Sequence, residues 1–393
     1  MDSPFHFGRE IPTDELVGRK ADIAQVVTVI RDSSRLFLTG PRRFGKTSIL
    51  RAAANELVAG AAIVVYLDAE LFSSLDSMAG EIVAGVARAL KGELGEINRE
   101  IQRCFSSLHP QLVYQHSDRW PNLKVQIGPR LPDQTDMDMF LEALTGIEAL
   151  AKARREDTPV GLILDEFPKV LELGGKYAEG RIRSVVQQHS NTGYVFAGSN
   201  IRAMTTMYLD ASHPFYRSGD ARFIGPVPRA EFAQFLTEQF LKGGYRPQNQ
   251  AVERILDLAE DVPYNVQMLA HSCWNGLTEK ADGKSTTLEV RNVDAALTTL
   301  VYQYDCFYAR IWSDLTPIQQ MTLLAVVKQQ GANLQSNRTA QAIGRGPATI
   351  RGSLESMMAQ GILRHSHART GDPVRFEDPF LARWISTVVE QSS

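Results

Sequence analysis

The sequence predicts an α/β domain built on a doubly wound, mostly parallel sheet, followed by a helical region and a small C-terminal domain. Four short apolar runs, RLFLT, AAIVVYL, VGLIL and GYVFA, have the near-continuous hydrophobicity of strands that are buried on both faces. Segments with helical spacing of apolar residues separate them, at residues 74–90, 136–155 and 176–189. After residue 226 the pattern becomes almost entirely helical. Alternating strands and helices, followed by helices alone, indicate this fold class.

Composition and charge narrow the functional classes. The 393-residue chain has a net charge of −3, so it lacks the overall positive surplus that polyanion-binding proteins carry. Its three cysteines, Cys104, Cys273 and Cys306, have neither metal-binding nor redox spacing, which is typical of a reducing compartment. No apolar run approaches the ~18 residues that span a bilayer, and the N-terminal segment MDSPFHFGRE does not resemble a signal peptide. We therefore expect a soluble cytoplasmic protein with no membrane partner.

The turn after the first strand carries the most specific motif. The segment GPRRFGKTS fits the pattern G-x-x-x-x-G-K-[ST] of a phosphate-binding loop, or P-loop. Glycines let backbone N–H groups approach an anion, and the following helix adds the positive end of its dipole. Lys46 is expected to contact the β- and γ-phosphates of a nucleotide, and the Thr47 hydroxyl to ligate Mg²⁺. The predicted nucleotide contacts are Gly40, Pro41, Arg42, Arg43, Phe44, Gly45, Lys46, Thr47 and Ser48.

Two adjacent carboxylates end the buried strand in the segment PVGLILDEFPKV. Given the phosphate loop upstream, Asp165 is expected to bind Mg²⁺ through water, and Glu166 to polarise the water that attacks the nucleotide. The alternative is a strand end with two solvated acids. Adjacent acids favour hydrolysis over phosphoryl transfer, because a kinase also needs a site for its acceptor. The pair therefore predicts a P-loop NTPase whose ligands are ATP or ADP and Mg²⁺.

Polar residues also follow the run GYVFAG, at the end of a third strand. The carboxyl ends of parallel strands meet at one edge, so Ser199 or Asn200 is expected to orient the water or contact the γ-phosphate. A polar cap of the strand end explains either residue almost as well. Asp68 and Glu70 end a fourth strand, where they would support the site structurally. Residues 95–132 alternate in part like a hairpin, which favours an insertion or a partner-binding element.

The part of the chain after the sheet is expected to form two further domains. The predicted domains are an ATPase domain (1–226), a helical lid (227–312) and a winged-helix domain (313–393). Apolar residues that share helix faces, among them Phe232, Leu236 and Phe240, predict a helical bundle here, and its role as a lid is what the family resemblance described below implies. In the last domain, amphipathic helices followed by two short strands are typical of a winged helix. Its expected core consists of Ile343, Ile350, Leu354 and Met358.

Four segments in this order carry a family resemblance: IPTDELVGRKADIAQV, TGPRRFGKTSIL, GLILDEFPKV, and FAGSN followed by HPFYRSGDARFIGPVP. They resemble the bacterial and archaeal AAA-like ATPases of the STAND group, most closely the archaeal-ATPase (MNS-type) branch. The resemblance covers nearly the whole chain. It implies an ATPase, expected to be slow, that acts as a molecular switch and closes a helical lid over the nucleotide.

The resemblance also implies roles for residues near the ends of the ATPase domain. The LVGR segment would place Val17, Gly18 and Arg19 beside the adenine, although a plain helix start capped by Asp14 fits equally. Arg217 in HPFYRSG would sense the γ-phosphate, in cis or from a neighbouring subunit, because its fork matches phosphate oxygens. A surface ion pair is the alternative for this arginine.

In the lid, the resemblance points to the segment AEDVPYNVQMLA. Pro263 and Tyr264 would contact the base. Many relatives have glycine two residues before this proline, where the present chain has Asp261. The substitution puts the backbone geometry of the turn in question, but not the contact itself.

Two functions remain open for the C-terminal domain. Between residues 336 and 375, six arginines stand against two carboxylates, a surplus of +4 inside an acidic chain. Arg345, Arg351 and Arg369 are candidates for contacts to duplex DNA phosphates, and a protein-contact domain is the equal alternative. The first hypothesis is a nucleotide-dependent switch that gates a DNA or protein partner. The second is a DNA-remodelling or loader ATPase, of the origin or transposition type, that oligomerises on duplex DNA.

Overall fold

Two units make up the chain, and the computed structural model describes residues 3–9, 11–12, 15–115, 122–129, 132–154, 158–279, 287–365 and 373–389. The sheet unit comprises Pro12–Pro41 and Gly45–Gly225. The helical unit comprises Met1–Ile11, Arg42–Phe44 and Pro226–Ser393. Three residues of the phosphate loop, Arg42–Phe44, therefore belong to the unit that contains the C-terminal half of the chain.

A parallel sheet lies at the centre of the sheet unit. The described strands are β1 (Arg35–Thr39), β2 (Ile63–Asp68), β3 (Gln111–Gln115), β4 (Asn122–Gln126), β5 (Val160–Asp165), β6 (Thr192–Gly198) and β7 (Asp220–Phe223). Five of them pair in parallel in the order β2–β5–β6–β1–β7, whereas β3 and β4 form an antiparallel hairpin. Every residue of β5 and β6 is buried, as their continuous apolar runs predict. The predicted α/β architecture is confirmed.

Helices connect these strands and cover the sheet. Those described are α1 (Lys20–Arg31), α2 (Lys46–Ala59), α3 (Leu75–Ala89), α4 (Leu94–Cys104), α5 (Asp136–Arg154), α6 (Phe167–Gly174), α7 (Ala178–Val186) and α8 (Ile201–Leu209), with short 3₁₀ turns at Ala69–Leu71 and Ser106–Leu108. Helix α1 packs on β5 and β6, and α3 packs on β2 and α5. Helix α6 follows the end of β5 after one residue, and α2 follows the end of β1 after the loop of residues 40–45. Both helices therefore begin at the same edge of the sheet.

One strand of the sheet was not predicted. Strand β7 pairs in parallel with β1, with Leu36 opposite Asp220 and Thr39 opposite Phe223. All four of its residues are exposed, so the strand has no apolar run that sequence periodicity could detect. It is an edge strand of the sheet, where hydrogen bonds to one neighbour suffice.

The helical unit contains the remaining elements. Its described elements are α9 (Arg229–Lys242), β8 (Arg246–Pro247), α10 (Asn249–Leu258), α11 (Pro263–Glu279), β9 (Thr287–Leu288), α12 (Val290–Gln303), α13 (Asp305–Asp314), α14 (Pro317–Lys328), α15 (Asn337–Ile343), α16 (Pro347–Ala359), β10 (Leu363–His365), β11 (Val374–Phe376), α17 (Pro379–Trp384) and a π-helical turn (Ile385–Val389). Among the helices described, none combines the length and the low polarity needed to cross a bilayer.

Residues near the N-terminus contribute to the helical unit, although the sequence range 1–226 was expected to form one domain. The Phe5 ring is 2% exposed and lies 4.8 Å from the ring of Phe240 and 6.1 Å from that of Trp274, centroid to centroid. Burying an aromatic side chain against other rings contributes on the order of 1–3 kcal/mol. The segment around Phe5 therefore contributes to the hydrophobic core of the helical unit.

The C-terminal module, residues 313–389, has the order of elements that the winged-helix prediction requires. Helices α14, α15 and α16 precede an antiparallel hairpin of β10 and β11, and α17 closes the module. Ile343, Ile350 and Leu354 are buried as expected. Met357, which is fully buried, takes the core position that was assigned to Met358, which is only half-buried. The helical period places both residues close to the core face, and the packing selects one.

A half-buried carboxylate ties α5 to the start of β6. Glu148 on α5 accepts hydrogen bonds from the Ser190 backbone N–H at 3.1 Å, the Asn191 amide at 2.7 Å and the Thr192 hydroxyl at 2.8 Å. Burial alone would raise the pKa of Glu148, but the hydrogen bonds to Asn191 and Thr192 outweigh it and hold the pKa below its ordinary value. The carboxylate form is thus the one that the fold stabilises.

Stability should therefore fall in acid partly through Glu148. A folded-state pKa below the unfolded value means that its contribution is complete above the unfolded pKa and is lost as the pH falls through the folded pKa. We expect Glu148→Ala to lower the free energy of unfolding by about 2 kcal/mol at neutral pH. The difference from wild type should shrink as the pH falls below about 4, in urea titrations across that range. The exposed Glu56→Ala on α2 is the matched control, and equal pH profiles for both variants would contradict the assignment.

Candidate functional site

The phosphate loop has a backbone that only glycine satisfies at two positions. Gly45, the residue before α2, has a φ of 89°, in the left-handed region. At Gly40, a Cβ atom would lie 2.4 Å from the carbonyl oxygen of Ile224, so the loop passes too close to its neighbour for a side chain. Glycine is therefore required at position 45 by the backbone conformation and at position 40 by steric contact.

Lys46 lies inside the loop that it follows. Its side chain is buried, with 6% exposed, and Nζ donates to the carbonyl oxygens of Gly40 at 2.9 Å and Pro41 at 3.1 Å. These contacts hold the ammonium group within the loop, at the N-terminal end of α2. A buried positive charge beside the helix dipole makes this the strongest anion site that the sheet unit offers.

Thr47 and Asp165 are brought together from different elements. The Thr47 hydroxyl donates to Oδ2 of Asp165 at 2.8 Å, and the carboxylate is 1% exposed at the end of β5. The Glu166 backbone N–H donates to Oδ1 at 3.0 Å. A hydroxyl and a carboxylate in contact are the oxygen ligands that Mg²⁺ prefers. The sequence predicted this pair as the metal site.

A third residue at this carboxylate was missed by the sequence prediction. The Tyr66 hydroxyl donates to Oδ2 of Asp165 at 2.9 Å. Burial, followed by the neighbouring charge of Asp165, raises the pKa of Tyr66 well above its ordinary value, so the hydroxyl keeps its proton. The only signal in the sequence is a polar-tipped side chain within an otherwise apolar strand, and the strand order that joins β2 to β5 was needed to use it.

Glu166 is held by the end of the next strand. Its carboxylate accepts two hydrogen bonds from Ser199, from the backbone N–H and from the hydroxyl, each at 3.0 Å. The Glu166 backbone has a φ of 51°, a left-handed conformation that costs a non-glycine residue about 1 kcal/mol or more. The structure thus places Ser199 directly beside Glu166, and strain of this kind is common at functional sites.

Asn200 and Arg217 occupy different surroundings. Oδ1 of Asn200 accepts from the Ala203 backbone N–H at 3.0 Å, which caps the start of α8. Arg217 lies in an exposed turn with a φ of 47°, and its guanidinium lies 5.4 Å from the centroid of the Tyr216 ring. Asn200 therefore caps a helix rather than the end of the strand, and Arg217 is on the surface of the sheet unit.

Arg19 makes structural contacts at the start of α1. Its guanidinium is almost fully buried, donates to the Gly225 carbonyl at 2.6 Å and pairs with Asp22 at 3.5 Å. Burial lowers the pKa of Arg19, with the Asp22 carboxylate acting in the opposite direction. Gly18 precedes it with a φ of 65°, and Val17 is half-buried. Asp14, the alternative helix cap, lies outside the described residues.

The tip of the phosphate loop belongs to the helical unit. The Arg43 carbonyl accepts from the Tyr264 backbone N–H at 3.4 Å, and the Arg43 guanidinium lies 4.9 Å from the Tyr264 ring centroid. The same guanidinium pairs with Asp378 at 3.6 Å. Phe44 is 3% exposed, with the guanidinium of Arg364 5.6 Å from its ring centroid. Arg42, Arg43 and Phe44 were predicted as nucleotide contacts, and Arg43 and Phe44 also contact other residues of the helical unit.

The turn before Tyr264 keeps a glycine-like geometry. Asp261, which replaces the glycine of many relatives, has a φ of 55°. Arg229 donates to both of its carboxylate oxygens at 3.0 Å. Left-handed backbone is strained for aspartate, and the ion pair offsets part of that strain. Asp261 thus adopts the left-handed backbone region that favours glycine.

Asn265, directly after Tyr264, is an unusual buried amide. It is 1% exposed, and neither its Oδ1 nor its Nδ2 has a hydrogen-bond partner among the described residues. Leaving buried polar atoms unpaired costs about 1–3 kcal/mol per group. A polar ligand at this turn would satisfy them.

The arginines of the C-terminal module are less available than their number indicates. Arg364 is 11% exposed at its side chain and pairs with Glu260 at 3.1 Å, and Arg375 pairs with the same carboxylate at 3.8 Å. Glu260 lies outside the segment from which the surplus of +4 was counted. Arg345 and Arg351 are exposed, and Arg369 lies outside the described residues. The free positive charge of this surface is therefore smaller than the sequence predicts.

Comparisons with known proteins address the fold. No family model matches the sequence, and no curated protein matches it. A Walker-type ATPase of Pyrococcus abyssi is similar with a TM-score of 0.60 and 13% identity, covering 97% of this chain and 99% of that chain. The ORC2 protein of Aeropyrum pernix, in ADPNP and ADP complexes, is similar with a TM-score of 0.54 and 13% identity, covering 98% and 96%. The fold is thus that of a P-loop ATPase with a C-terminal helical region.

Proposed function

We propose that this protein is an ATPase that uses Mg²⁺ and acts as a nucleotide-dependent switch of the STAND type. One observation carries the ATPase assignment: Lys46 and Thr47 at the start of α2 lie at the same edge of the parallel sheet as Asp165 and Glu166 at the end of β5, with the Thr47 hydroxyl donating to Asp165. Ligands of such sheets bind at the carboxyl ends of the strands. The two similar structures, a Walker-type ATPase and a protein in ADPNP and ADP complexes, support adenine nucleotides as ligands.

The residues present fit both a nucleotide and its metal ion. Lys46 supplies a buried cation within a loop whose backbone is open at Gly45, where a Cβ would meet nothing within 4 Å. Thr47 and Asp165 supply the oxygen donors for Mg²⁺, which when bound neutralises phosphate charge. The unpaired amide of Asn265 fits a base contact near Pro263 and Tyr264. Val17, Gly18 and Arg19 remain proposed contacts of the base from the sheet unit.

Glu166 is the proposed base for hydrolysis. A carboxylate in this position can accept a proton from water, and Ser199 fixes its orientation with two hydrogen bonds. Ser199 thus acts through Glu166, while Asn200 and Arg217 remain candidates for contacts to the γ-phosphate. In this proposal, Arg217 reaches a nucleotide from its exposed turn, in cis or from a second copy of the chain.

The loop tip supports a switch over a loader. Arg43 and Phe44 lie within the loop that is proposed to cradle phosphate, yet their side chains contact Tyr264, Asp378 and Arg364 of the helical unit. A conformational change of the loop on nucleotide binding would therefore reach the C-terminal module, which belongs to the same unit as Arg43 and Phe44. We propose that the module in turn gates a protein or DNA partner, and no contact among the described residues specifically favours the loader hypothesis.

Removing the Arg43 side chain should disconnect the module from the nucleotide. In wild type, a non-hydrolysable ATP analogue should change amide hydrogen exchange in Val374–Phe376 and Pro379–Trp384 as well as in the loop. In Arg43→Ala, we expect the change in these two segments to be lost, while nucleotide affinity stays within about threefold, because the ion pair and ring contact are partly exposed. Arg42→Ala, which removes the same charge from the same loop, is the control.

Two outcomes would count against the proposed function at different levels. Wild-type protein that neither binds ATP with Mg²⁺ nor releases phosphate would overturn the ATPase assignment. Nucleotide-dependent exchange confined to the sheet unit, with an unchanged module, would leave the ATPase but overturn the switch.

A further inference from the structure

The carboxylate of Asp165 is fixed by three donors, of which one is unexpected. Oδ2 accepts from the Thr47 hydroxyl at 2.8 Å and from the Tyr66 hydroxyl at 2.9 Å, while Oδ1 accepts from the Glu166 backbone N–H at 3.0 Å. The group cannot rotate without breaking at least one of these bonds. Its orientation is therefore set before any ligand binds.

Tyr66 is itself held by two neighbouring elements. It lies on β2, in register with Ile163 of β5, two residues before the strands end at Asp68 and Asp165. The guanidinium of Arg51 lies 4.9 Å from its ring centroid. Arg51 stands four residues after Thr47, so both are on one face of α2. One face of α2 thus carries both Thr47, which donates a hydrogen bond to Asp165, and Arg51, which restrains the tyrosine that orients the same carboxylate.

We propose that Tyr66 is a positioning residue for the metal site, which sets the affinity for Mg²⁺ by fixing the carboxylate of Asp165. This inference rests on the proposed function. Hydrogen bonds to a metal-binding carboxylate tune metal affinity because they fix its direction and its share of negative charge. A phenylalanine would pack equally well on β2, so the hydroxyl serves the carboxylate rather than the core.

The test is a Mg²⁺ titration of nucleotide-induced stabilisation, which does not depend on turnover. Melting temperatures of wild type and Tyr66→Phe are measured at fixed ADP, with Mg²⁺ increased from an EDTA-treated baseline. We expect Tyr66→Phe to raise the Mg²⁺ concentration of the half-maximal shift by about tenfold or more. At saturating Mg²⁺, the nucleotide affinity should stay within about twofold of wild type.

Tyr194→Phe is the matched control. Tyr194 is a fully buried tyrosine on β6 whose hydroxyl lies 2.6 Å from Nδ1 of His189, near the start of that strand. Its loss removes a buried hydroxyl from the same sheet, far along the strands from Asp165. We expect a lower melting temperature without nucleotide but an unchanged Mg²⁺ midpoint.

The outcomes separate this inference from the proposed function. If wild type gains no stability from nucleotide and Mg²⁺, the proposed function fails. If wild type responds and the Mg²⁺ curves of Tyr66→Phe and wild type coincide, the positioning role alone is wrong. Should Tyr66→Phe not fold, Arg51→Ala loosens the same tyrosine and should raise the midpoint by about two- to fivefold, and an unchanged midpoint there would also overturn the role.

Discussion

Lys46→Ala is expected to abolish the rise in melting temperature that ATP and Mg²⁺ produce in wild type. A ligand at ~100 times its Kd adds about 2.7 kcal/mol to the stability of the protein that binds it. Lys46 carries the buried cation of the loop, with Nζ held by the Gly40 and Pro41 carbonyls. Without it, phosphate charge would enter the loop against unpaired carbonyl oxygens. Differential scanning with and without nucleotide measures the effect directly.

Two comparisons make this result interpretable. Melting without nucleotide reports whether the loss of the lysine contacts weakens the fold itself. Lys176→Ala, an exposed lysine of the sheet unit, removes the same charge outside the loop and should keep the full shift. A full ATP and Mg²⁺ shift in Lys46→Ala would mean that the phosphate loop is not the nucleotide site.

Glu166→Gln should retain ATP binding but lower the rate of hydrolysis by about 10²- to 10⁴-fold, the usual contribution of a general base. The amide has the shape of the carboxylate and still accepts the hydrogen bond from the Ser199 backbone N–H. It cannot take a proton from water. Single-turnover phosphate release, with the ATP-induced melting shift measured on the same sample, separates chemistry from binding.

The control for this variant is Glu172→Gln, an exposed glutamate on α6 that pairs with Lys169. It should hydrolyse ATP at the wild-type rate. If Glu166→Gln also turned over normally, another group would have to activate the water, and the two hydrogen bonds from Ser199 would have only a structural purpose.

Local sequence patterns identified those site residues whose positions follow from a short motif. Lys46 and Thr47 begin a helix after a glycine-rich turn, and Asp165 and Glu166 end a buried strand, so parallel pairing alone brings them to one edge. The prediction failed where the signal depended on neighbours in space. Strand β7 is exposed at every residue, and it is held by its pairing with β1 and by the ion pair of Arg222 with Asp22 on α1.

Local sequence patterns also could not predict which side chains contact each other across the sheet. In the sequence, Tyr66 is one more residue of an apolar strand. Its contact with Asp165 can be inferred only once β2 is known to lie beside β5. Ser199 was one of two equal candidates, and the fold placed it on Glu166 while Asn200 turned to cap α8. Asp261 is held by Arg229, a contact between residues 32 positions apart that the sequence alone did not indicate.

The sequence by itself determined the fold class, the phosphate loop and the two carboxylates, because each follows from periodicity or from spacing over a few residues. Tertiary structure decided which side chains meet: Tyr66 with Asp165, Ser199 with Glu166, and the loop tip with the helical unit. It also decided that Glu260 neutralises arginines that a local count leaves free. These contacts join residues about 30 to 330 positions apart, and only the packing of strands and helices brings such distant side chains within hydrogen-bond range.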